Sequence, residues 1–175
     1  MPPEGTQASS DRKVAPVYLV ADKEIILDAP VDEAWPQVID YPSWQDYSTV
    51  EHVSGPAGQE GEVVLLKKEE AFEFPPYYAI TVKLEPEHRI IWKTYSLEDE
   101  EPFFGIVDFT VEEIQNTTRF SIAVVYEFQV SYQDDEQLNK FRDEQYVNFE
   151  SLFAAVLPKL EKQVQVSKIP APGRG

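Results

Sequence analysis

The sequence predicts an α+β domain. One twisted antiparallel sheet of about seven strands is followed by a long C-terminal helix that covers its apolar face, with two short helices after the first strand. Three observations predict it. From Thr49 to Val130 apolar and polar residues alternate with period two in successive runs. The connectors between those runs are hairpin-length, which joins antiparallel neighbours. From Asp134 to Gln165 the period changes to that of an amphipathic helix.

The elements follow in order. Val17 to Leu27 is β-branched with interrupting charges, a strand with one wet face. Ala29 to Ile39 opens as a short helix, because Pro30 is tolerated in a first turn and Asp32 and Glu33 suit its dipole; Pro36 keeps it short. A second helical turn spans Pro42 to Tyr47 and sets Trp44 and Tyr47 on one face. A short strand ends at Gly55, and Gly55, Pro56, Gly58 and Gly61 supply turn chemistry. Five strands then read as Glu62 to Glu70, Tyr77 to Glu85, Arg89 to Leu97, Phe103 to Glu113 and Thr117 to Val130. In the final helix Leu138, Phe141, Gln145, Phe149, Leu152, Val156 and Leu160 form one stripe. The helix is roughly 45 Å long, enough to cross a small sheet. Pro158 is expected to kink its last turns.

Length and charge bound the function. At 175 residues with 42% hydrophobic content, the chain holds one sizeable core. Residues 1–16 read as a disordered leader without a secretory signal, 17–168 as the single folded domain, and 169–175 as a flexible tail. A net charge of −17 opposes binding to the phosphates of nucleic acid. No apolar run reaches the ~20 residues of a membrane span. The absence of cysteine excludes disulfides, thiolate catalysis and cysteine-held metal clusters. The cytoplasm is the default location.

Charges assign the strand faces. Arg89 and Lys93 point outward, leaving Ile90, Trp92, Thr94 and Ser96 inward. Asp108 and Glu112 leave Val107, Phe109 and Val111 inward. Arg119, Glu127 and Gln129 leave Phe120, Ile122, Val124, Tyr126 and Phe128 inward. Lys83 and Glu85 place Tyr78, Ile80, Val82 and Leu84 inward. The consecutive charges Lys67 to Glu70 break the rule, so that Lys67 or Lys68 turns inward.

Several pieces in this order resemble the SRPBCC superfamily, the START-like, polyketide cyclase/dehydrase helix-grip group. They are Leu27-Asp28-Ala29-Pro30 through Trp35, the Trp44 helix, Arg89-Ile90-Ile91-Trp92, and Asn148-Phe149-Glu150-Ser151-Leu152 through Leu157 and Leu160-Glu161. The resemblance covers about Val20 to Val164. It implies a curved sheet gripping the long helix around an elongated cavity for lipids, polyketides or other apolar or aromatic ligands. Function varies widely within such a fold.

Known catalytic signatures are missing. There is no Gly-x-Ser-x-Gly elbow, no His-Glu-x-x-His and no phosphate loop, and the Gly55, Gly58, Gly61 series reads as a turn. His52 and His88 are the only histidines, and the acids at Glu98 to Glu101 lack the spacing that calcium requires; no metal or cofactor is expected. Aromatics and inward polar groups remain. Trp44, Tyr47, Phe74, Trp92, Thr94, Ser96, Phe109, Phe128, Phe141, Gln145, Phe149 and Phe153 are the candidate ligand-binding residues. Tyr126 and Tyr78 are the candidate hydrogen-bond or acid groups, and Lys68 a candidate for shifting charge. The apolar Phe72 to Tyr77 connector reads either as a lid at the cavity mouth or as a contact surface for a partner.

Three functions follow. The first is a metal-free cyclase/dehydratase, a lyase or isomerase acting on a polyketide-like or aromatic substrate. The second is a non-enzymatic carrier or sensor of a lipid or other apolar metabolite. The third is an interaction module whose outer sheet face binds another protein. A homodimer stays open.

Overall fold

The computed structural model describes residues 12–45, 47–68, 76–96 and 103–168, except the side chains of Ser48 and Lys68. Ten elements run β1 (Lys13–Leu27), α1 (Val31–Ile39), α2 (Tyr41–Trp44), β2 (Tyr47–Ser54), β3 (Val63–Lys68), β4 (Tyr77–Glu85), β5 (Arg89–Tyr95), β6 (Phe103–Ile114), β7 (Thr117–Tyr132) and α3 (Asp135–Ser167). The strands form one antiparallel sheet in the order β1-β7-β6-β5-β4-β3-β2, so the first and second strands of the chain are its two edges. This is the plan read from the sequence.

Local chemistry sets the joints. Gln115 and Asn116 both adopt positive φ, the two-residue geometry that matches strand twist and joins Ile114 to Thr117. Gly55 has φ +81°, and a Cβ there would run into the carbonyl of Gly61, so the glycine-rich segment is a turn. Asp134 caps α3 by accepting from the Gln137 amide at 2.9 Å, and Asp135 and Glu136 complement the helix dipole. Trp44 is fully buried, donates its indole N–H to the Val38 carbonyl at 3.1 Å and meets Phe120 edge-on, which pins α1 and α2 to the sheet.

Several boundaries and one face assignment differ from expectation. β1 begins at Lys13, because Lys13 to Pro16 pair with Gln129 to Tyr132. The second helix ends at Trp44, and Tyr47 opens β2 opposite Lys68. The face assignment of β4 is overturned in its first half. Tyr77 and Ala79 are buried, whereas Val82 is exposed and Tyr78 lies on the outer face, stacked on Tyr95 at 5.2 Å. The cause is a bulge: Thr81 pairs with Trp92 and Lys83 with the next residue, Ile91, leaving Val82 as an extra residue that inverts the alternation. Parity read backwards from Lys83 and Glu85 therefore selects the wrong face upstream.

α3 runs closest to β1, β7, α1 and α2. Its C-terminal half supplies the buried residues Phe149, Phe153, Val156, Leu157, Leu160 and Val164, while Leu138, Phe141 and Leu152 are partly buried against the core. Lys23 and Glu150 tie the helix to β1 at 2.5 Å, and Tyr146 donates to the Val20 carbonyl on the free edge of that strand. Among the described residues no helix is long and apolar enough to cross a membrane.

Candidate functional site

The inner face of the sheet carries a belt of rings in continuous contact. Phe109 meets Trp92 at 5.0 Å, Trp92 meets Tyr41 at 4.6 Å, and Tyr41 meets Tyr47 at 6.0 Å. The belt continues from Tyr47 to Tyr77 at 6.2 Å, then to Phe103 and on to Tyr126, each at 5.9 Å. Phe128 joins Phe103 and Tyr126 and reaches Phe141 on α3 at 5.5 Å. Most of these contacts are edge-on, the favoured geometry for rings that carry a quadrupole.

Small residues lie between the bulky rows. One cross-strand row reads Val64, Ala79, Thr94, Gly105, Tyr126 and Leu19. It is flanked by the row of Tyr77, Phe103 and Phe128 and by that of Trp92, Val107 and Val124. Ala79, Thr94 and Gly105 therefore make a low strip in the centre of an aromatic face. The ring of Tyr126 leans over Gly105, where an added Cβ would lie 2.6 Å from Thr94 Oγ1 and closer still to Tyr126 Cδ1 and Cε1.

Four phenols concentrate here. The Tyr47 and Tyr77 hydroxyls are hydrogen-bonded to each other, and Tyr47 also donates to Gln45 Oε1 at 3.1 Å. Burial pushes Tyr41 up to about 12, with the negative charge of Glu62 adding to it. Burial also raises Tyr47, Tyr77 and Tyr126 far above the usual phenol; the bond to Tyr77 opposes the rise at Tyr47, whereas repulsion from Tyr47 adds to it at Tyr77. All four are neutral near pH 7 and offer O–H groups. Thr94 is buried, and among the described residues its hydroxyl has no hydrogen-bond partner. A buried hydroxyl of that kind is costly unless something satisfies it.

The expected site residues divide accordingly. Tyr47, Trp92, Thr94, Phe109, Tyr126, Phe128 and Phe141 lie in or along the belt. Ser96 is buried at its end, its amide donating to the Phe103 carbonyl at 3.1 Å. Phe149 and Phe153 contact each other on α3 at 4.6 Å, and Gln145 is half-buried one turn before them. Trp44 is closed into the core beneath Phe120. Tyr78 is on the opposite face of the sheet. Phe74, the rest of the lid segment before Pro76, the acids at Glu98 to Glu101 and the Lys68 side chain lie outside the described residues; Lys67 is exposed. Sequence reasoning missed Tyr41, Tyr77 and Phe103. Tyr41 sits at a helix junction with no periodicity, and Tyr77 is hidden by the bulge. Phe103, two residues before an inward Gly105, was within reach of the same parity that placed Val107.

No protein-family model matches the sequence, and no curated protein matches it. Solved structures do. The Zhui aromatase/cyclase from Streptomyces sp. R1128 aligns over 90% of this chain and 99% of its own, at 16% identity and a TM-score of 0.65. Norcoclaurine synthase from Thalictrum flavum, in complex with dopamine and hydroxybenzaldehyde, aligns over 88% and 90%, at 15% identity and a TM-score of 0.59. Ara h 8.0201 aligns over 86% and 99%, at 11% identity and a TM-score of 0.57. At these identities the likeness establishes the fold, and it is the helix-grip fold: a seven-stranded antiparallel sheet, two short helices after its first strand and a long C-terminal helix.

Proposed function

We propose that the inner face of the sheet binds an aromatic or polyketide-like small molecule bearing oxygen, and that the chemistry done there is of the cyclase/dehydratase kind. The observation that carries the reading is the unsatisfied, buried Thr94 hydroxyl lying among neutral phenols on a ring-lined strip. A ligand carbonyl or phenol oxygen can accept from Thr94 and from a tyrosine at once, while its rings or chain rest on Trp92, Phe103 and Phe128. Such a surface folds a flexible substrate into one conformation, which is where most of the barrier to ring closure lies. A neutral phenol such as Tyr126 then donates a hydrogen bond to the carbonyl oxygen that gains negative charge as the new carbon–carbon bond forms, and the proton lost by the attacking carbon ends on that oxygen by way of solvent. In a dehydration the hydroxyl departs as water with the proton of the neighbouring carbon. The aromatase/cyclase and norcoclaurine synthase with this fold support a reaction on aromatic carbonyl or phenol compounds.

A second reading, a carrier of a lipid or other apolar metabolite, is favoured by one observation. Among the described residues, each of the four titratable groups placed in the belt is a phenol held protonated, and none is a base. Native mass spectrometry of the purified protein, followed by turnover assays with aromatic polyketide mimics, separates the two. Turnover that Tyr126→Phe abolishes while leaving ligand affinity within about threefold supports catalysis. A stoichiometric apolar passenger without turnover establishes carriage. Absence of both, with no aromatic ligand bound, refutes the site.

A further inference from the structure

The outer face of the sheet carries two uninterrupted cross-strand rows with almost no charge. One row is Val20, Val125, Ile106, Lys93, Ile80 and Val63, taken strand by strand from β1 to β3. The adjoining row is Tyr18, Glu127, Phe104, Tyr95, Tyr78 and Leu65. None of the twelve is buried. Tyr18 is 53% exposed, Val20 60%, Phe104 59%, Ile106 47% and Val125 45%. These five alone show roughly 500 Å² of apolar surface, at the upper end of what monomeric proteins leave in one patch. The stacked Tyr78 and Tyr95 and the half-exposed Ile80, Val63 and Leu65 extend it toward the ~800 Å² that each side of a stable complex contributes. The other end of the same face is different: Arg89 is paired with Asp108, and Arg119 with Glu24 and Glu112.

We propose that this double row is a sheet-on-sheet interface with a second copy of the chain. The occupant follows from charge. A chain of net charge −17 repels its own copy, and least where the facing surfaces are neutral, as they are here. Inside that patch are one cation and one anion, Lys93 on β5 and Glu127 on β7, on opposite sides of β6 and in different rows. They stand roughly 10 Å apart across the sheet, two strand spacings. A two-fold axis in the interface plane, passing between Ile106 and Phe104, lays Lys93 of each copy over Glu127 of the other. Both pairs form together, as a self-complementary interface requires. Apolar rows meeting face to face at ~10 Å are an ordinary packing of two sheets. The inner face and its phenols stay free, so the interface does not depend on the ligand reading.

Sedimentation velocity on the full chain, from about 1 μM to about 1 mM, tests this. Wild type is expected to pass from monomer to dimer within that range. Lys93→Glu places two like-charged contacts in the interface and is expected to weaken dimerisation at least tenfold, and Lys93→Glu with Glu127→Lys to restore it. Ile106→Asp is expected to leave only monomer. Lys93 is exposed and Glu127 half-exposed, so the charge variants read out even where Ile106→Asp fails to fold. A wild type that is monomeric throughout overturns the proposal. So does failure of the double swap to restore the dimer, or uptake of a monomeric chain by phosphatidylcholine vesicles, which would make the outer double row a lipid-binding surface.

Discussion

Replacing Gly105 by alanine places a methyl group 2.6 Å from Thr94 Oγ1 and nearer still to the edge of the Tyr126 ring. The ring cannot simply move aside, because Phe103 and Phe128 hold it at 5.9 and 6.2 Å, and Thr94 is buried. Overpacking of this kind costs ~1–3 kcal/mol. Alanine is a better strand residue than glycine and recovers ~0.5–1 kcal/mol. A net loss of about 1–2 kcal/mol lowers Tm by roughly 2–8 °C for a chain of this size. Thermal melts of four proteins make the measurement specific: wild type, Gly105→Ala, Tyr126→Leu and the double variant. With the ring gone the two closest contacts are relieved and the one to Thr94 Oγ1 remains, so Gly105→Ala is expected to cost less in the Tyr126→Leu background, by a coupling of about 1 kcal/mol or more. An equal effect of Gly105→Ala in both backgrounds, or no loss in wild type, would refute the view that this glycine exists to seat Tyr126.

Thr94→Val removes a hydroxyl that has no partner among the described residues while keeping the shape. It is expected to leave the free protein equally stable or up to ~1–2 kcal/mol more so in denaturant melts, and to weaken binding of an oxygen-bearing aromatic ligand about tenfold. A phenol whose folded pKa lies above the unfolded value near 10 holds its proton more tightly in the folded chain. The stability this gives is complete below pH 10 and is lost as pH rises from there through about 12 for Tyr41. Alkaline titration of phenolate absorbance should show Tyr47, Tyr77 and Tyr126 ionising only as circular dichroism reports unfolding. Asp134→Ala removes the α3 cap at a cost of about 1 kcal/mol. Hydrogen exchange should quicken first around Leu138 and Phe141, the part of the helix least buried against the sheet.

Where elements are long and their period unbroken, residue order alone carries the answer. In β6 and β7 the charges Asp108, Glu112, Arg119 and Glu127 stand on the outer set of alternate positions, so Val107, Phe109, Phe120, Ile122, Val124 and Phe128 all fall on the buried side, as their sequence implies. The α3 stripe is equally plain, although burial deepens only from Phe149 onward. Tyr41 is invisible to periodicity, since it belongs to a four-residue helix whose orientation is set by the burial of Trp44 three residues on. Tyr47 was expected at the end of that helix. It enters the site instead as the first residue of an edge strand, a placement decided by pairing with Lys68 on β3. Such pairing is a long-range fact with no local signature.

One extra residue ties the two faces of the protein together. Side chains alternate with a period of exactly two along a strand, so Val82, by standing outside the ladder, decides which of two adjacent tyrosines faces in. With the bulge, Tyr77 meets Tyr47 and Phe103 inside, and Tyr78 stacks on Tyr95 outside. Without it, the charges of Lys83 and Glu85 would still face solvent, but Tyr78 would enter the phenol cluster and Tyr77 the outer belt. Leu66 and Leu65 fix the choice from the other side, since they pair with Tyr77 and Tyr78 and only Leu66 is fully buried. The hydrophobic register of β3 against β4 and the charge register of β4 against β5 are thus one residue out of step. The bulge lets both be satisfied, and in doing so it supplies the inner site with a phenol and the outer face with a stacked pair.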